Sequence, residues 1–468
     1  MRESDRSRGN DMRSDERDSR PAGRGRRAQG PAKWSGIRRE ARREAKEAVR
    51  LATRVWELAE PPFREEQSAK LIADYLAGRG FRVQFPIPSV PTAFRATWGR
   101  GRPAIGLLGE YDALPDCGLK RGTWGHACGH NLLGVGSAVG AVVASRMLLR
   151  HSLKGAVVYW GCPAEEALAG KVYMARDGAF RRLDACLAWH PSDRTAVNAA
   201  GGAALDSLTF EFYGRTAHGA HADRGRSALD AAVLTDVAAN YLREHVPDNV
   251  RIHCVLPCGG TAPNVVPEYA KAWYYVRGKD REQVEEMTRR LTLCARGAAT
   301  ATETRLRITR LTGVYSRLTN GLLAEAVRDN LVAVGPPRAS KADRRRVRQL
   351  GRRPEFDTHA RRDIPAEAGK ASSDEDNVSW LAPLGAFNMA CVPKGVSGHH
   401  RDYTAQSNLP FAHRAMVRAA QVLAGVAWDL MAEPRLLRRV RRQFAQGTKR
   451  FRYDPLVPKG QRPLAQWR

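Results

Sequence analysis

Glu165 and Glu166 stand side by side in Gly161-Cys-Pro-Ala-Glu-Glu, just past the apolar run Ala156-Val-Val-Tyr-Trp160, which reads as a buried strand. Successive side chains at a strand's end diverge, so the two carboxylates face different ways. One can hold a metal while its neighbour addresses a metal-bound water, and hydrolysis requires that division of labour. An isolated Glu-Glu pair is usually a solvated acidic turn. Other residues of metal-ligand type, recurring in one kind of place, change that reading.

The strand-like run Pro103-Ala-Ile-Gly-Leu-Leu108 leads at once into Gly109-Glu-Tyr-Asp112, and a loop then carries Gly125-His-Ala-Cys-Gly-His-Asn131. His190 directly follows the short apolar run Ala185-Cys-Leu-Ala-Trp189. Late in the chain, Ala386-Phe-Asn-Met-Ala-Cys391 passes through a glycine-containing loop to Gly398-His-His400. Ligands of open α/β sheets gather at the carboxyl ends of strands. Cys, His and Glu converge here on several such ends, which scattered structural histidines would not do. A joint metal site is the expectation.

Cys128 and His130 flank one glycine, a pair able to reach a single metal or bracket two. A thiolate, imidazoles and a carboxylate form a borderline-soft set that suits zinc and admits manganese or cobalt. Asp112 is a candidate acceptor for the second nitrogen of a ligating histidine. Cys128 has a rival role as a covalent nucleophile paired with His126 or His130. The Glu pair favours the metal, because a cysteine hydrolase has no use for it.

The segments Glu110-Tyr-Asp-Ala-Leu-Pro115, His126-Ala-Cys-Gly-His130, Pro163-Ala-Glu-Glu166, Gly214-Arg-Thr-Ala-His218, Pro263-Asn-Val-Val-Pro267 and Gly398-His399 resemble the aminoacylase–carboxypeptidase family of dinuclear metallohydrolases. Gly129-His-Asn-Leu-Leu-Gly134 and Asp376-Asn-Val-Ser-Trp380 are most similar to its p-aminobenzoyl-glutamate hydrolase branch, the B-type subunit in particular. The likeness spans about residues 38–460 in unbroken motif order. It implies two divalent metal ions held by Cys128, His130, Glu166, His190 and His399, with Glu165 as general base. It also implies that His218, on a lid, steadies the oxyanion from across a dimer. Asn131 replaces the aspartate common in the wider family. Ser372-Ser-Asp-Glu-Asp-Asn377 departs from the branch's Ser-Thr-Asp-Val-Gly-Asp pattern, in a segment expected beside the substrate.

The middle of the chain reads strand-helix-strand-strand-helix-strand, a ferredoxin-like split motif. Its parts are strands at 205–213, 251–256, 269–276 and 304–311, with helices at 227–244 and 281–295. The expected fold class is therefore α/β, a mixed-sheet metallopeptidase-like catalytic domain (residues 35–202 and 313–434) with an inserted lid and dimerisation domain (203–312). Asn264 and Arg277 on that lid are candidate substrate contacts, Arg277 as a bidentate clamp for a carboxylate.

A chain of 468 residues allows two or three domains with ample core. Helical patterning covers 38–58 and 65–76, and the apolar stretch 132–149 reads as a buried helix rather than a membrane span. Eight scattered cysteines and the lack of an apolar signal core point to a reducing cytoplasm. Seventy-seven Lys and Arg against 49 acidic residues leave a charge of +28. Much of it is segregated into residues 1–34, expected to be a disordered basic arm or to precede a start at Met12 or later, an arginine-dense surface loop at 338–362, and a basic tail at 435–468. These runs support a rival reading, a polyanion- or nucleic-acid-binding protein on a retired hydrolase scaffold. Retention of every metal position opposes it. The reading adopted is a cytoplasmic amidohydrolase acting on an N-acyl or N-aroyl amino acid such as p-aminobenzoyl-glutamate, with a general aminoacylase or dipeptidase as the alternative. It would work as a homodimer or with a related subunit, and without a specific nucleic acid or a membrane.

Overall fold

The computed structural model describes residues 30–88 and 90–463. The chain opens with α1 (Pro31–Leu58), α2 (Glu66–Ala77), β1 (Arg82–Gln84), β2 (Phe94–Arg100), β3 (Ala104–Glu110), α3 (His130–Arg150), β4 (Gly155–Cys162), α4 (Gly170–Arg176), β5 (Ala185–Ser192) and β6 (Ala196–Val197). A second set follows in β7 (Ala204–Tyr213), α5 (Ala228–Leu242), β8 (Arg251–Cys258), β9 (Tyr269–Gly278), α6 (Arg281–Ala301) and β10 (Arg305–Val314). It closes with α7 (Gly321–Val334), α8 (Lys341–Gln349), α9 (Glu375–Val378), β11 (Leu384–Ala390), α10 (Arg401–Ser407), α11 (Pro410–Ala432) and α12 (Pro434–Gly447).

Every residue of β3 and β4 is buried, as strands covered on both faces must be. Alternate residues serve two cores. Ile105, Leu107, Val157, Tyr159, Leu187 and Trp189 pack under α1, α3 and α11, whereas Leu108, Val158, Trp160, Cys186 and Ala188 pack beneath α4 and the segment around Val378. The seven strands lie in the order β1-β2-β4-β3-β5-β11-β6. β4, β3, β5 and β11 run parallel, flanked by antiparallel β2 and β6. From β3 the chain crosses through α3 to β4 on one side, then through α4 to β5 on the other. That divergence opens a crevice at the carboxyl ends of β3, β4 and β5. Two helices, α3 and α11, are long and apolar enough to cross a membrane, but 89% and 78% of their apolar windows are buried inside the fold. They are core helices.

The inserted sheet runs β10-β7-β9-β8, all antiparallel, with α5 and α6 packed on one face. That is the strand order of a ferredoxin-like unit. His190 lies within β5 rather than after it, because β5 stays paired with β11 as far as Ser192.

Three expectations need correcting. Most of the arm at 1–34 lies outside the described residues, but α1 already begins at Pro31. Lys33 is buried there, its Nζ 2.6 Å from Asp429 Oδ1 and 2.9 Å from Asn330 Oδ1, and Trp34 packs on the core. The stretch 338–362 is not simply loop, since Ser340 and Asp343 form a capping box that starts α8. The 435–468 tail does not stand apart either, because α12 buries Leu437 and Val440 against the core.

The segment 372–380, expected beside the substrate, staples the two connectors that join the sheets. Arg317 donates from Nε to Asp376 Oδ1 (2.6 Å) and from Nη1 to Asn198 O (2.6 Å), and its Nη2 pairs with Glu375. Asp376 Oδ2 accepts from Gly202 N–H (2.8 Å), Asn377 Oδ1 from Tyr315 N–H (3.1 Å) and Ser379 Oγ from Leu318 N–H (2.9 Å). Short polar side chains at 376–379 thus satisfy backbone groups that a crossover between sheets leaves unpaired. Removing a buried partner strands its counter-charge. Arg317→Met should therefore destabilise the protein by about 3–5 kcal/mol, measured by denaturant unfolding, and a loss within error of zero would refute the staple.

Candidate metal centre

Five strand or helix ends bring the donors together. α3 starts at His130, and Gly129 before it holds φ +75°, where an added Cβ would lie 2.9 Å from Pro191 Cβ. Only glycine fits between Cys128 and His130. Ala164 (φ 56°) and His399 (φ 58°) adopt the same left-handed region without being glycine. Such strain persists only where surrounding contacts impose it. Glu65 imposes it at Ala164, accepting that residue's N–H at 2.8 Å, while Ala127 O accepts the N–H of His399 at 3.0 Å.

Three donor sets each have their ligand atoms within 4.8 Å of one another: Cys128, His130 and His190; Cys128, Glu166 and His399; and Glu110, His130 and Glu165. His130 Nδ1 donates to Asp112 Oδ1 (2.9 Å), and His190 Nδ1 to Pro191 O (2.6 Å). Each ring therefore turns Nε2 inward, with a lone pair free on His190 and, on His130, a proton that a bound cation would replace. His399 Nε2 stands 3.4 Å from Glu166 Oε2 and is the most exposed member, its side chain 62% accessible. Two buried polar atoms at the centre, His130 Nε2 and Glu166 Oε1, lack hydrogen-bond partners. Unpartnered donor atoms beside a thiol and imidazoles are what a divalent zinc-type cation would satisfy, so the residues fit the group.

Asp112 organises the cluster. Its Oδ1 orients His130 and its Oδ2 accepts the Glu166 N–H at 2.9 Å. Burial opposes its charge, but His130, the Glu166 N–H and Lys171 hold its pKa below the usual carboxylate range. Burial, then the carboxylates of Glu110 and Glu166, push Glu165 well up. Burial also raises Glu166 to about 7, despite the opposing pull of His130. Burial pushes the Cys128 thiol up, and burial with the neighbouring His130 lowers His190 to about 4. On His130 burial disfavours charge, yet Asp112 holds the ring's pKa well above its ordinary value.

The other candidates lie elsewhere. His126 turns away, its Nε2 3.0 Å from Val55 O, and joins none of the donor sets. His218 is exposed on the lid, its Nδ1 accepting from Ala220 N–H at 3.1 Å, outside the donor sets of this chain. Asn264 is beside it, with its backbone carbonyl accepting from Gly219 N–H at 2.7 Å. Arg277, at the end of β9, has a buried Nε without a hydrogen-bond partner, and its charge depresses the pKa of His399 after burial has done so. Sequence reasoning passed over Glu110 and Lys171. Glu110 was legible as the second acid of Gly109-Glu-Tyr-Asp112, two residues from Asp112 and so directed to the same side. A lone lysine within the apolar helix α4 was the signal for Lys171.

Residues 203–301 match the M20 peptidase dimerisation domain. The chain is 30% identical over 458 residues to the B-type subunit of p-aminobenzoyl-glutamate hydrolase from Escherichia coli, covering 88% of this chain and 95% of that one. The chain belongs to the M20 peptidase family. It is 30% identical over 413 residues to the human Xaa-Arg dipeptidase, covering 84% of this chain and 88% of that one. Its fold matches that of a Bacillus subtilis dinuclear metal-binding M20 peptidase at a TM-score of 0.54 and 19% identity, over 82% and 98% of the two chains. This M20 member is thus a hydrolase of carbon–nitrogen bonds, and the retired-scaffold reading falls away.

The raised acids set a pH dependence. An acid whose folded pKa is raised stabilises the fold at low pH, and that stability fades as pH climbs through the folded value. A histidine lowered to about 4, such as His190, acts oppositely, but only below the ordinary imidazole range. Above about pH 6.5 the raised groups all act in one direction, Glu166 at about 7, Glu65 at about 8 and His130 above its ordinary value. Chelator-treated protein should therefore melt at progressively lower temperature from pH 6.5 to 8, and added Zn²⁺ should reverse the trend. A flat chelated profile would contradict it.

Proposed function

We propose that this M20 hydrolase is a metal-dependent amidohydrolase that cleaves an N-acyl or N-aroyl amino acid such as p-aminobenzoyl-glutamate. The observation that carries the reading is the pair of unpartnered buried atoms, His130 Nε2 and Glu166 Oε1, amid a thiol and two further imidazoles. Cys128, His130, Glu166, His190 and His399 are the proposed ligands of two divalent ions, zinc, manganese or cobalt by donor type. Bound there, such ions polarise a carbonyl and ease the deprotonation of water.

The chain's own groups supply the rest. Glu165 takes a proton from the attacking water and returns it to the leaving nitrogen. Asp112 keeps His130 in one tautomer and orientation. Arg277, half-buried with an unused Nε donor, suits the substrate's free carboxylate, with Asn264 on the same lid. His218 is assigned to the oxyanion of a neighbouring subunit's site, which its exposure in this chain allows. Association is supported by an apolar face left open on the lid: Val233, Leu234, Val237 and Tyr241 on α5, and Val255 and Leu256 on the edge strand β8. Homodimer and pairing with a related subunit both fit. A cytoplasmic setting accords with eight unpaired cysteines.

The deciding experiment is hydrolysis by metal-reconstituted protein of a panel holding p-aminobenzoyl-glutamate, acetyl-amino acids and Xaa-Arg dipeptides. Preference for the aroyl-glutamate is expected, and exclusive cleavage of dipeptides would select the alternative. Glu165→Gln should keep its metal and lose about 10²–10⁴-fold in kcat, and turnover near wild type would remove Glu165 from this role. Arg277→Met should raise KM about 10-fold or more, as loss of a charged hydrogen bond predicts, with little change in kcat. An effect confined to kcat would reassign it.

A further inference from the structure

Lys171 is wholly buried in the first turn of α4, held between two carboxylates. Its Nζ lies 2.6 Å from Glu110 Oε1 and 2.5 Å from Asp374 Oδ1, and its backbone N–H donates to Asp374 Oδ2 at 2.8 Å. Glu110 Oε2 in turn stands 3.4 Å from His130 Nε2, the nitrogen free to take a metal. Glu165 Oε2 is 3.8 Å from that same nitrogen. Glu110, His130 and Glu165 are thus a third donor set, the only one of the three that is wholly buried and the only one with two carboxylates.

By charge and burial this third set is an attractive seat for a cation among the described residues. Occupying it would consume Glu165, whose carboxylate must stay free to carry a proton. A buried ammonium in contact with Glu110 changes the balance. It neutralises one carboxylate and repels a second cation at close range, while Asp374 keeps the ammonium in place. Replacing lysine by a neutral side chain would leave Glu110 uncompensated, the state in which a buried carboxylate seeks a metal.

We propose that Lys171 is a positioning residue that withholds Glu110 from the metal-ligand set and so keeps Glu165 free as the base. The inference rests on the reading of the cluster as a metal centre. Its test is metal binding, which a purely structural lysine would leave unchanged. Metal-depleted wild type, Lys171→Met, Lys171→Gln, Glu110→Gln and the double variant Lys171→Met/Glu110→Gln are dialysed against Zn²⁺, and bound metal is counted by elemental analysis.

Wild type and Glu110→Gln are expected to take two equivalents with equal affinity. Lys171→Met and Lys171→Gln are expected to bind a third, or to hold the last cation at least tenfold tighter. Adding Glu110→Gln should abolish that gain. Lysine variants indistinguishable from wild type would overturn the proposal, as would loss of an equivalent in Glu110→Gln, which would make Glu110 an ordinary ligand. Should neither lysine variant fold, the Glu110→Gln measurement still decides between withheld and ligating carboxylate. Wild type that binds no Zn²⁺ would instead sink the metal-centre reading.

Discussion

Four carboxylates, Glu110, Asp112, Glu165 and Glu166, are packed into one crevice at the ends of two parallel strands, and the rest of the structure answers to that constraint. Like charges this close cannot all ionise in a low-dielectric interior unless positive charge is supplied. The fold supplies some of it through His130 against Asp112 and Lys171 against Glu110. What remains is the raised Glu165 and Glu166, with unpartnered atoms facing the same centre. The protein is an acidic pocket only partly neutralised by its own side chains, which is the electrostatic condition for holding divalent cations.

Around that pocket the architecture solves two problems of placement. The switch in strand order at β3 opens space at the carboxyl ends, and the strained turns at Ala164 and His399 bring Glu166 and His399 into one donor set there. The lid, meanwhile, must stay attached by only two crossings of the chain. The α9 segment grips both through Arg317, Gly202, Tyr315 and Leu318. The same short segment carries Asp374, which holds Lys171 beneath the cluster. Three successive acids, Asp374, Glu375 and Asp376, thus pair with Lys171 beneath the cluster and with Arg317 at the connectors.

Much of this was legible in the residues themselves. The uniformly apolar β4 and the Glu pair at its end, the Cys-Gly-His spacing, and the strand-helix-strand-strand-helix-strand order of the insert each follow from local periodicity and side-chain chemistry. Lys33, Lys171 and Arg317 were not legible. A charged residue is read as solvent-facing until its partner is known, and their partners lie far away along the chain, Asp429 for Lys33, Asp374 for Lys171 and Asp376 for Arg317. The buried pairings of the segment 372–380 were hidden for the same reason. Only the meeting of two connectors shows that Asp376, Asn377 and Ser379 satisfy backbone groups.

Taken alone, the amino-acid order determined which side chains can do chemistry, the strand and helix periods that carry them, and the resemblance that names the reaction class. Those properties are local, written in side-chain type and spacing. Tertiary structure decided which acids share one buried volume, which of them is neutralised by Lys171, and that His218 stays outside its own chain's cluster. Burial and proximity between residues far apart along the chain set those outcomes, and neither quantity exists until the chain has folded.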